Sequence, residues 1–214
     1  MAVQIPLFPL NAVLFPHMPM ALHIFEERYR RMMHDCLEQG TTFGVIAIRE
    51  GREIGPSAEP YEVGTLAQLR AADPLPDGRY NIVVVGASRF HVETLSRELP
   101  YLTGSVRYLL DLPAGSAELA QRISEAFRAY ARTLSALQQN TERTDIELPD
   151  DPELLSYLVA AALQVSVAER QQLLEIDSTD ERLKACLSIL RRERMLLENM
   201  LGYATASSST VPLN

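Results

Sequence analysis

The sequence has no tryptophan, only two cysteines, and a single lysine among its 20 basic residues. Cys36 and Cys186 lie far apart and form no CxxC pair, so neither a disulfide framework nor a zinc ribbon is expected. Both fall on apolar faces of expected helices, which predicts buried thiols. No stretch approaches the roughly 18 apolar residues of a membrane span, and the first ten residues lack the basic region of a signal peptide. We therefore expect a cytoplasmic protein without membrane contact.

The standard phosphate-binding loops are also missing. A Walker loop needs Gly-Lys-Ser or Gly-Lys-Thr, because the lysine must reach the nucleotide phosphates. The only lysine, Lys184, follows Leu183 inside an expected helix. The GxGxxG and GxSxG motifs are absent as well, and a Ser-Lys pair would have to use Lys184. The sequence therefore argues against a standard ATP site and against a standard serine nucleophile.

The histidines show no metal-binding spacing, since HExxH is absent. Cys36 follows His34 and Asp35, but neighbours on a helix point in different directions, so adjacency does not make a catalytic pair. His17 and His23 could approach each other around Pro19, but surface or hydrogen-bonded histidines explain them better. We expect no catalytic, cofactor-binding or metal-binding residue. The histidines are His17, His23, His34 and His91.

Adjacent carboxylates could act as a general acid and a general base, and the sequence has three such pairs: Glu26-Glu27, Asp150-Asp151 and Asp180-Glu181. The last two begin expected helices, where the helix dipole stabilises negative charge. Acid–base catalysis needs an environment that shifts a pKa, and the sequence reveals none. We assign these pairs structural roles.

The balance of charge disfavours nucleic-acid binding. The formal net charge is -8 and the pI is about 5.1, whereas nucleic-acid binding depends on basic residues that neutralise phosphates. The densest basic cluster, Arg28-Tyr29-Arg30-Arg31, fits the solvated side of an amphipathic helix.

Residues 1–112 have the pattern of short strands with one inserted helix. Asp77-Gly78 lies between two β-rich runs, which is a strong hairpin signal, and strands at this spacing indicate a closed or partly closed barrel. Pro9 is expected to end the first strand or place it at an edge. The expected strands are Val3–Phe8, Met20–Phe25, Phe43–Arg49, Val63–Ala72, Arg79–Val85, Phe90–Thr94 and Leu102–Leu110.

The inserted helix has its apolar residues on one face and ends at Gly40. A stripe of methionine and aromatic residues is typical of core packing, with a ligand site as the rarer alternative. Its members are Phe25, Tyr29, Met32, Met33, Cys36 and Leu37.

Residues 113–203 change to helical periodicity and predict about four helices that pack as a bundle. Ser116 is a candidate N-cap, Asp151-Pro152 begins a second helix, and Ser166 and Ser178 begin capping-box patterns. Residues 140–150 read as a polar loop. The Ser- and Thr-rich segment 204–214 is expected to be a disordered tail.

A proline-broken apolar run extends from Leu14 to Leu22 and fits no single regular element. It can belong to the core, or it can line a groove for unfolded or extended peptide, because methionine-rich and aromatic surfaces adapt to varied partners. The two roles are compatible. The candidate peptide-binding residues, taken from this run and the helix that follows, are Phe15, Met18, Met20, Phe25 and Tyr29.

Several ordered motifs resemble the amino-terminal substrate-binding domain of Lon-type ATP-dependent proteases. The match is close over about 1–112 and looser over about 150–195. The motifs are Ile5-Pro6-Leu7-Phe8-Pro9-Leu10, Val13-Leu14-Phe15-Pro16, Val63-Gly64-Thr65-Leu66-Ala67, Leu75-Pro76-Asp77-Gly78, Val85-Gly86-Ala87-Ser88-Arg89-Phe90, Pro100-Tyr101, Glu169-Arg170-Gln171-Gln172-Leu173-Leu174-Glu175 and Glu181-Arg182-Leu183.

The resemblance implies an α+β fold: a PUA-like β pseudo-barrel with one inserted helix, followed by a helical bundle. It also implies a part in engaging substrates and in assembly, while the ATP-binding lysine and the Ser-Lys catalytic pair of those proteases have no counterpart in this sequence. The resulting hypothesis is a non-catalytic module that binds unfolded or partly folded protein, as an adaptor or regulator of proteolysis. An RNA-binding PUA-like module and a small-molecule-binding protein are the alternatives. The long C-terminal helix could also pair with the same helix of a second copy of the chain.

Overall fold

A computed structural model describes residues 2–53, 58–112, 116–138 and 146–208, with side chains described up to residue 201. The α+β class expected from the sequence is confirmed, since the described residues form six strands and five helices. None of the helices among these residues is long and apolar enough to cross a membrane. In chain order the elements are β1 (Val3–Leu10), β2 (Pro19–Ile24), α1 (Glu27–Gln39), β3 (Phe43–Glu50), β4 (Glu59–Pro74), β5 (Tyr80–Ser96), β6 (Thr103–Tyr108), α2 (Ala117–Leu137), α3 (Pro152–Ala162), α4 (Val167–Glu175) and α5 (Thr179–Ser208).

The chain divides into two compact units. The first contains residues 1–112 together with 160–177, and the second contains 113–159 together with 178–214. The sheet and α4 therefore belong to the first unit, and α2 and α5 belong to the second. The sequence predicts α4 as part of the helical segment 113–203, and its place in the first unit corrects this prediction.

The strands of the first unit pair in a ring. The sheet order is β2-β5-β4-β3-β1-β6, and β5 also pairs with β6. The five strands β5, β4, β3, β1 and β6 therefore form a closed ring, in which each strand pairs with two others. All pairs are antiparallel except β1–β3. Outside this ring, β2 pairs with the first part of β5, from Tyr80 to Val85. Among the described strands, β2 is therefore an edge.

The two strands expected on either side of Gly86 form one continuous strand, β5. Its first part pairs with β2 and its last part, from Phe90 onward, pairs with β6. Gly86 lies between these parts, where the Phe15–Met18 segment approaches so closely that a Cβ on Gly86 would lie 2.1 Å from the Phe15 carbonyl oxygen. Backbone hydrogen bonds join His17 N to Gly86 O (2.8 Å) and Gly86 N to Met18 O (3.0 Å). A glycine that reads as a break in the sequence is here a point of close approach.

Proline 9 does not end the first strand, because β1 continues to Leu10 and Pro9 pairs with Ile46 of β3. The antiparallel partner β6 pairs with β1 only over Val3–Pro6. Beyond Pro6, one side of β1 thus has no strand partner among the described residues. Proline is tolerated in such a position, because its missing N–H interrupts no ladder there.

The helix α1 closes one side of the sheet with the face that the sequence indicated. Tyr29, Met32, Met33 and Cys36 are buried in one apolar cluster, and Gly40 ends the helix with a left-handed φ of 63°. The expectation was wrong at both ends of the stripe. Phe25 precedes the helix and is 49% exposed, and Leu37 is 44% exposed. The cluster comprises Phe8, Leu10, Leu14, Ile24, Tyr29, Met32, Met33, Cys36, Phe43, Val45, Ala67, Ile82, Val84 and Tyr101.

The helix α4 packs against β3 and β4. It begins at Ser166 with the predicted capping box, in which the Ser166 side chain accepts from Glu169 N. The buried Gln171 amide donates to Val63 O on β4 (3.0 Å). A helical period identifies the apolar face of a helix but not its partner, which explains why α4 was grouped with the helices.

The second unit is built around α2 and α5, which pack along each other. Ser116 caps α2 by accepting from Leu119 N, and the Asp151 carboxylate accepts from Leu154 N (2.8 Å) at the start of α3, as predicted. Arg182 is fully buried: its Nε donates to Ser156 Oγ (2.8 Å), and its guanidinium lies 3.9 Å from the Tyr157 ring centroid.

The C-terminal helix extends further than expected. α5 runs to Ser208, so it includes residues 204–208 of the segment for which a disordered tail was predicted. Residues 209–214 of that segment, and residues 140–145 of the expected polar loop, lie outside the described residues.

Candidate functional site

A cavity of about 350 Å³ lies beside the open edges of two strands, β1 and β2. The C-terminal part of β1 pairs with β3 and β2 pairs with β5, so each of these strands has one side without a strand partner among the described residues. We call this cavity the β1–β2 cleft. It is lined by Phe8, Leu10, Ala21, Leu22, His23, Ile24, Phe25, Glu26, Tyr29 and Glu53.

The floor of the cleft is apolar and belongs to the core. Phe8, Leu10, Ile24 and Tyr29 are all buried, and the Phe8 and Tyr29 rings meet edge to face with centroids 4.3 Å apart. Burial raises the pKa of Tyr29 to about 12, so its phenol is neutral at physiological pH. The floor is thus a packed, uncharged surface.

Phe25 is the exposed aromatic residue of the cleft. It lies between the end of β2 and the start of α1, and 49% of its surface is accessible. Its ring stacks with the His23 imidazole, with centroids 6.0 Å apart and planes inclined by 23°. His23 Nδ1 in turn lies 2.7 Å from Asn81 Oδ1. An exposed ring held beside an apolar cavity has the properties of an interface hot spot.

The formally charged residues that line the cleft, Glu26 and Glu53, are both acidic. Arg28 does not line the cleft, but it contacts both Glu26 and Glu53 and so connects the start of α1 with the segment after β3. Its guanidinium lies 3.0 Å from the Glu26 carboxylate, donates to Glu53 O (3.0 Å), and covers the Tyr29 ring at 4.3 Å. The Glu53 carboxylate accepts from Asn11 N at 3.4 Å. Since Arg28 offsets Glu26, Glu53 carries the remaining acidic character of the cleft.

The structure brings together part of the set of residues that the sequence indicated. Phe25 and Tyr29 line the cleft, and Met20 packs, half-buried, against the apolar cluster that contains Tyr29. Phe15 is 1% exposed and Met18 is half-buried; both belong to the segment that docks on Gly86. The run from Leu14 to Leu22 therefore supplies core residues first and cleft residues at its end.

Eight of the ten lining residues are not among the candidates that the sequence indicated: Phe8, Leu10, Ala21, Leu22, His23, Ile24, Glu26 and Glu53. Phe8 and Leu10 belong to the Ile5–Leu10 motif, and both are buried. Nothing in the sequence near Glu53 links it to the cleft, because its contact with Asn11 depends on the pairing of distant strands. No local signal could have found it.

The arrangement offers no reactive group. Burial raises the pKa of the Cys36 thiol, which disfavours the nucleophilic thiolate, and His34 faces Glu38 on its own helix with Nε2 3.2 Å from Oε1. Within the described part of the chain, no three histidine, cysteine or acidic side chains are grouped to hold a metal ion.

The chain is similar to Lon proteases over most of its length. It is 28% identical to a Lon protease of Anaeromyxobacter dehalogenans over 199 residues, which is 91% of this chain and 24% of that protein. It is 25% identical to the Lon protease of Escherichia coli K12 over 201 residues, which is 92% of this chain and 26% of that protein. The chain thus spans about a quarter of the length of these relatives.

Solved structures give the same result for the fold. A Lon N-terminal domain protein from Xanthomonas campestris superposes with a TM-score of 0.66 at 27% identity, covering 87% of this chain and 98% of that one. The N-terminal domain of a Mycobacterium avium complex Lon protease gives a TM-score of 0.65 at 16% identity, covering 88% of this chain and 98% of that one, and shows the fold alone. The model of the ATP-dependent protease La (LON) substrate-binding domain matches residues 4–192, and the chain belongs to this family.

Proposed function

We propose that this chain binds unfolded or partly folded polypeptide without catalysing a reaction itself, and that the β1–β2 cleft is the binding site. The observation that carries the proposal is Phe25, which is 49% exposed at the rim of an apolar cavity. Exposed aromatic side chains beside a preformed apolar pocket contribute strongly to protein binding.

The dimensions of the cleft agree with this function. Its volume of about 350 Å³ lies within the ~300–1,000 Å³ typical of ligand pockets, and it exceeds twice the ~150 Å³ of a cavity that admits benzene. It can therefore accept one or two large apolar side chains. The acidic lining, with Glu26 and Glu53, is unsuited to phosphate groups.

The family suggests the setting in which such binding occurs. The matching domain is described as substrate-binding, and the curated relatives are named as proteases. We propose that the chain acts in the cytoplasm as an adaptor or regulator that presents bound polypeptide for proteolysis.

The test compares Phe25→Ala with Leu37→Ala. Leu37 is 44% exposed on α1 but does not line the cleft, so its variant is a matched loss of exposed apolar surface. The probe is reduced, carboxyamidomethylated ribonuclease A, labelled with a fluorophore and measured by anisotropy. We expect Phe25→Ala to weaken binding by at least about fivefold, as at an interface hot spot, and Leu37→Ala to leave the Kd unchanged. Equal Kd values for the two variants, with unchanged melting temperatures, would overturn the site.

A further inference from the structure

The edge strand β2 offers an extended backbone to a ligand. It has β5 on one side, and on the other side its residues Ala21–Ile24 line the β1–β2 cleft. Backbone N–H and C=O groups along an open strand edge are a template for another strand. Extended peptides are commonly recognised by addition to such an edge.

The side chains of β2 leave room for an added strand. Met20, Leu22 and Ile24 turn their side chains towards the core, whereas Ala21 and His23 are exposed. This alternation has the period of two expected of a half-buried strand. Because the Ala21 side chain is small, it does not obstruct a strand that adds to the edge of β2. Pro19 lacks an N–H, so Ala21–Ile24 is the part of the strand that can support continuous pairing.

We infer that the polypeptide bound in the β1–β2 cleft adds to β2 as a further strand and is an extended segment with apolar residues at alternate positions and at least one arginine or lysine. This inference rests on the proposed function and specifies how that site binds. Neighbouring strands lie ~4.7–4.9 Å apart. Every second side chain of the added strand enters the cleft above Ile24 and Tyr29, and the others face solvent.

The preference for a basic residue follows from the charges of the cleft. Glu26 and Glu53 line it, and none of the other lining residues that the structure describes is an arginine or a lysine. The Arg28 guanidinium lies 3.0 Å from the Glu26 carboxylate, which leaves Glu53 as the group that a basic side chain of the ligand meets. The net charge of -8 on the whole chain favours approach of a cationic segment as well.

Backbone methylation of the ligand tests strand addition directly. The probe is a ten-residue peptide in which valine and threonine alternate between two terminal arginines. A series of variants of this peptide carries one N-methylated amide each, at successive positions. Successive N–H groups of a strand point to opposite sides. We therefore expect methylation at every second position to weaken binding at least tenfold, and methylation at the intervening positions to leave the Kd within about twofold.

Loss of binding without this alternation, or tolerance of methylation at every position, overturns strand addition. If the unmodified peptide fails to bind while unfolded ribonuclease A still binds in a Phe25-dependent manner, strand addition fails and the proposed function stands. If neither binds, both fail.

Charge variants test the chemistry of the ligand. A second peptide has glutamate in place of both arginines. We expect the arginine peptide to bind more tightly, and Glu53→Gln to weaken its binding roughly two- to fivefold, as for a partly exposed ion pair. Glu50→Gln is the matched control, since Glu50 is exposed at the end of β3 and does not line the cleft. An unchanged preference for the arginine peptide in Glu53→Gln overturns the assignment of a basic ligand.

Discussion

Arg89 shows how a single residue can have a role that its type conceals. It is 1% exposed on β5. Its Nη1 donates to the Leu174 carbonyl at the end of α4 (2.9 Å), and its Nη2 lies 3.1 Å from Asp177 and 3.3 Å from Asp111. In the sequence, Arg89 stands out only as part of the Val85–Phe90 motif. Arginine is mostly exposed in proteins, so its burial could not be inferred from the residue type.

The first prediction concerns this buried cation. Arg89→Met should lower the free energy of unfolding by about 3 kcal/mol, because it leaves the buried Leu174 carbonyl without its donor and removes the cation that is ion-paired with the partly buried Asp111. Urea denaturation monitored by circular dichroism measures the change. The control is Arg107→Met on β6, where an exposed arginine lies 3.7 Å from Glu93 and a change within about 0.5 kcal/mol is expected. Similar losses in both variants would contradict a special role for the buried cluster.

The candidate site was predictable residue by residue only in part. The helical stripe in the sequence indicates Phe25 and Tyr29 as candidates. Phe25, however, lies before α1, where it is exposed and lines the cleft. Tyr29 follows the stripe and is buried. Glu53 lies 42 residues from its partner Asn11, and only the ring of strands brings the two together. Local periodicity can identify apolar faces, but it does not identify which distant residues meet.

At the scale of elements, local chemistry determined the ends of helices well. Ser116, Asp151 and Ser166 accept backbone hydrogen bonds at the expected positions, and Gly40 ends α1. These signals act over three or four residues, so they survive any tertiary context. Strand boundaries were less predictable: β4 extends over Glu59–Pro74 and β5 runs through Gly86. The length of a strand depends on its partners, which the sequence does not show locally.

The second prediction separates two reasons for glycine. In Gly86→Ala the new Cβ would lie 2.1 Å from the Phe15 carbonyl oxygen and 2.8 Å from its carbon. Backbone atoms cannot move aside cheaply, so we expect a loss of stability near the upper end of the ~1–3 kcal/mol typical of overpacking. The amide signals of His17 and Met18, whose backbones bond to Gly86, should shift in NMR spectra.

Gly40→Ala is the control for this prediction. Gly40 has a φ of 63° with nothing within 4 Å of a Cβ, so the cost is conformational, about 1 kcal/mol. The amide signals of His17 and Met18 should remain in place. If Gly86→Ala leaves those signals unchanged, the close approach of the Phe15–Met18 segment does not set the need for glycine.

At the scale of the whole molecule, neither of the two compact units is a single continuous stretch of the sequence. The first unit takes residues 160–177 from the helical half, and its contacts include Gln171 with Val63 and Arg89 with Leu174. The change from strand to helix periodicity near residue 112 marks where the sheet ends. It does not mark where the first unit ends, because a later helix returns to cover β3 and β4. Such a return is set by long-range packing and leaves no trace in local composition.

The third prediction uses the two cysteines as reporters of the two units. Cys36 is 4% exposed in the first unit and Cys186 is fully buried in the second. Burial raises the pKa of both thiols, that of Cys186 to about 12. The thiolate is the reactive species, so each cysteine reacts with an alkylating reagent mainly when its own unit opens. Labelling in native buffer at pH 8 should therefore be far slower than in 6 M urea.

The two labelling rates show whether the units open together. In Cys36→Ala and Cys186→Ala, which each retain one thiol, mass spectrometry follows the labelling of the other. The second unit is smaller, and small units bury a lower fraction of their surface on folding. We expect Cys186 to be labelled faster than Cys36, after each rate is corrected for the change in free energy of unfolding that the alanine substitution causes. Equal corrected rates would mean that the chain unfolds as one cooperative body, because a single opening event would then expose both thiols.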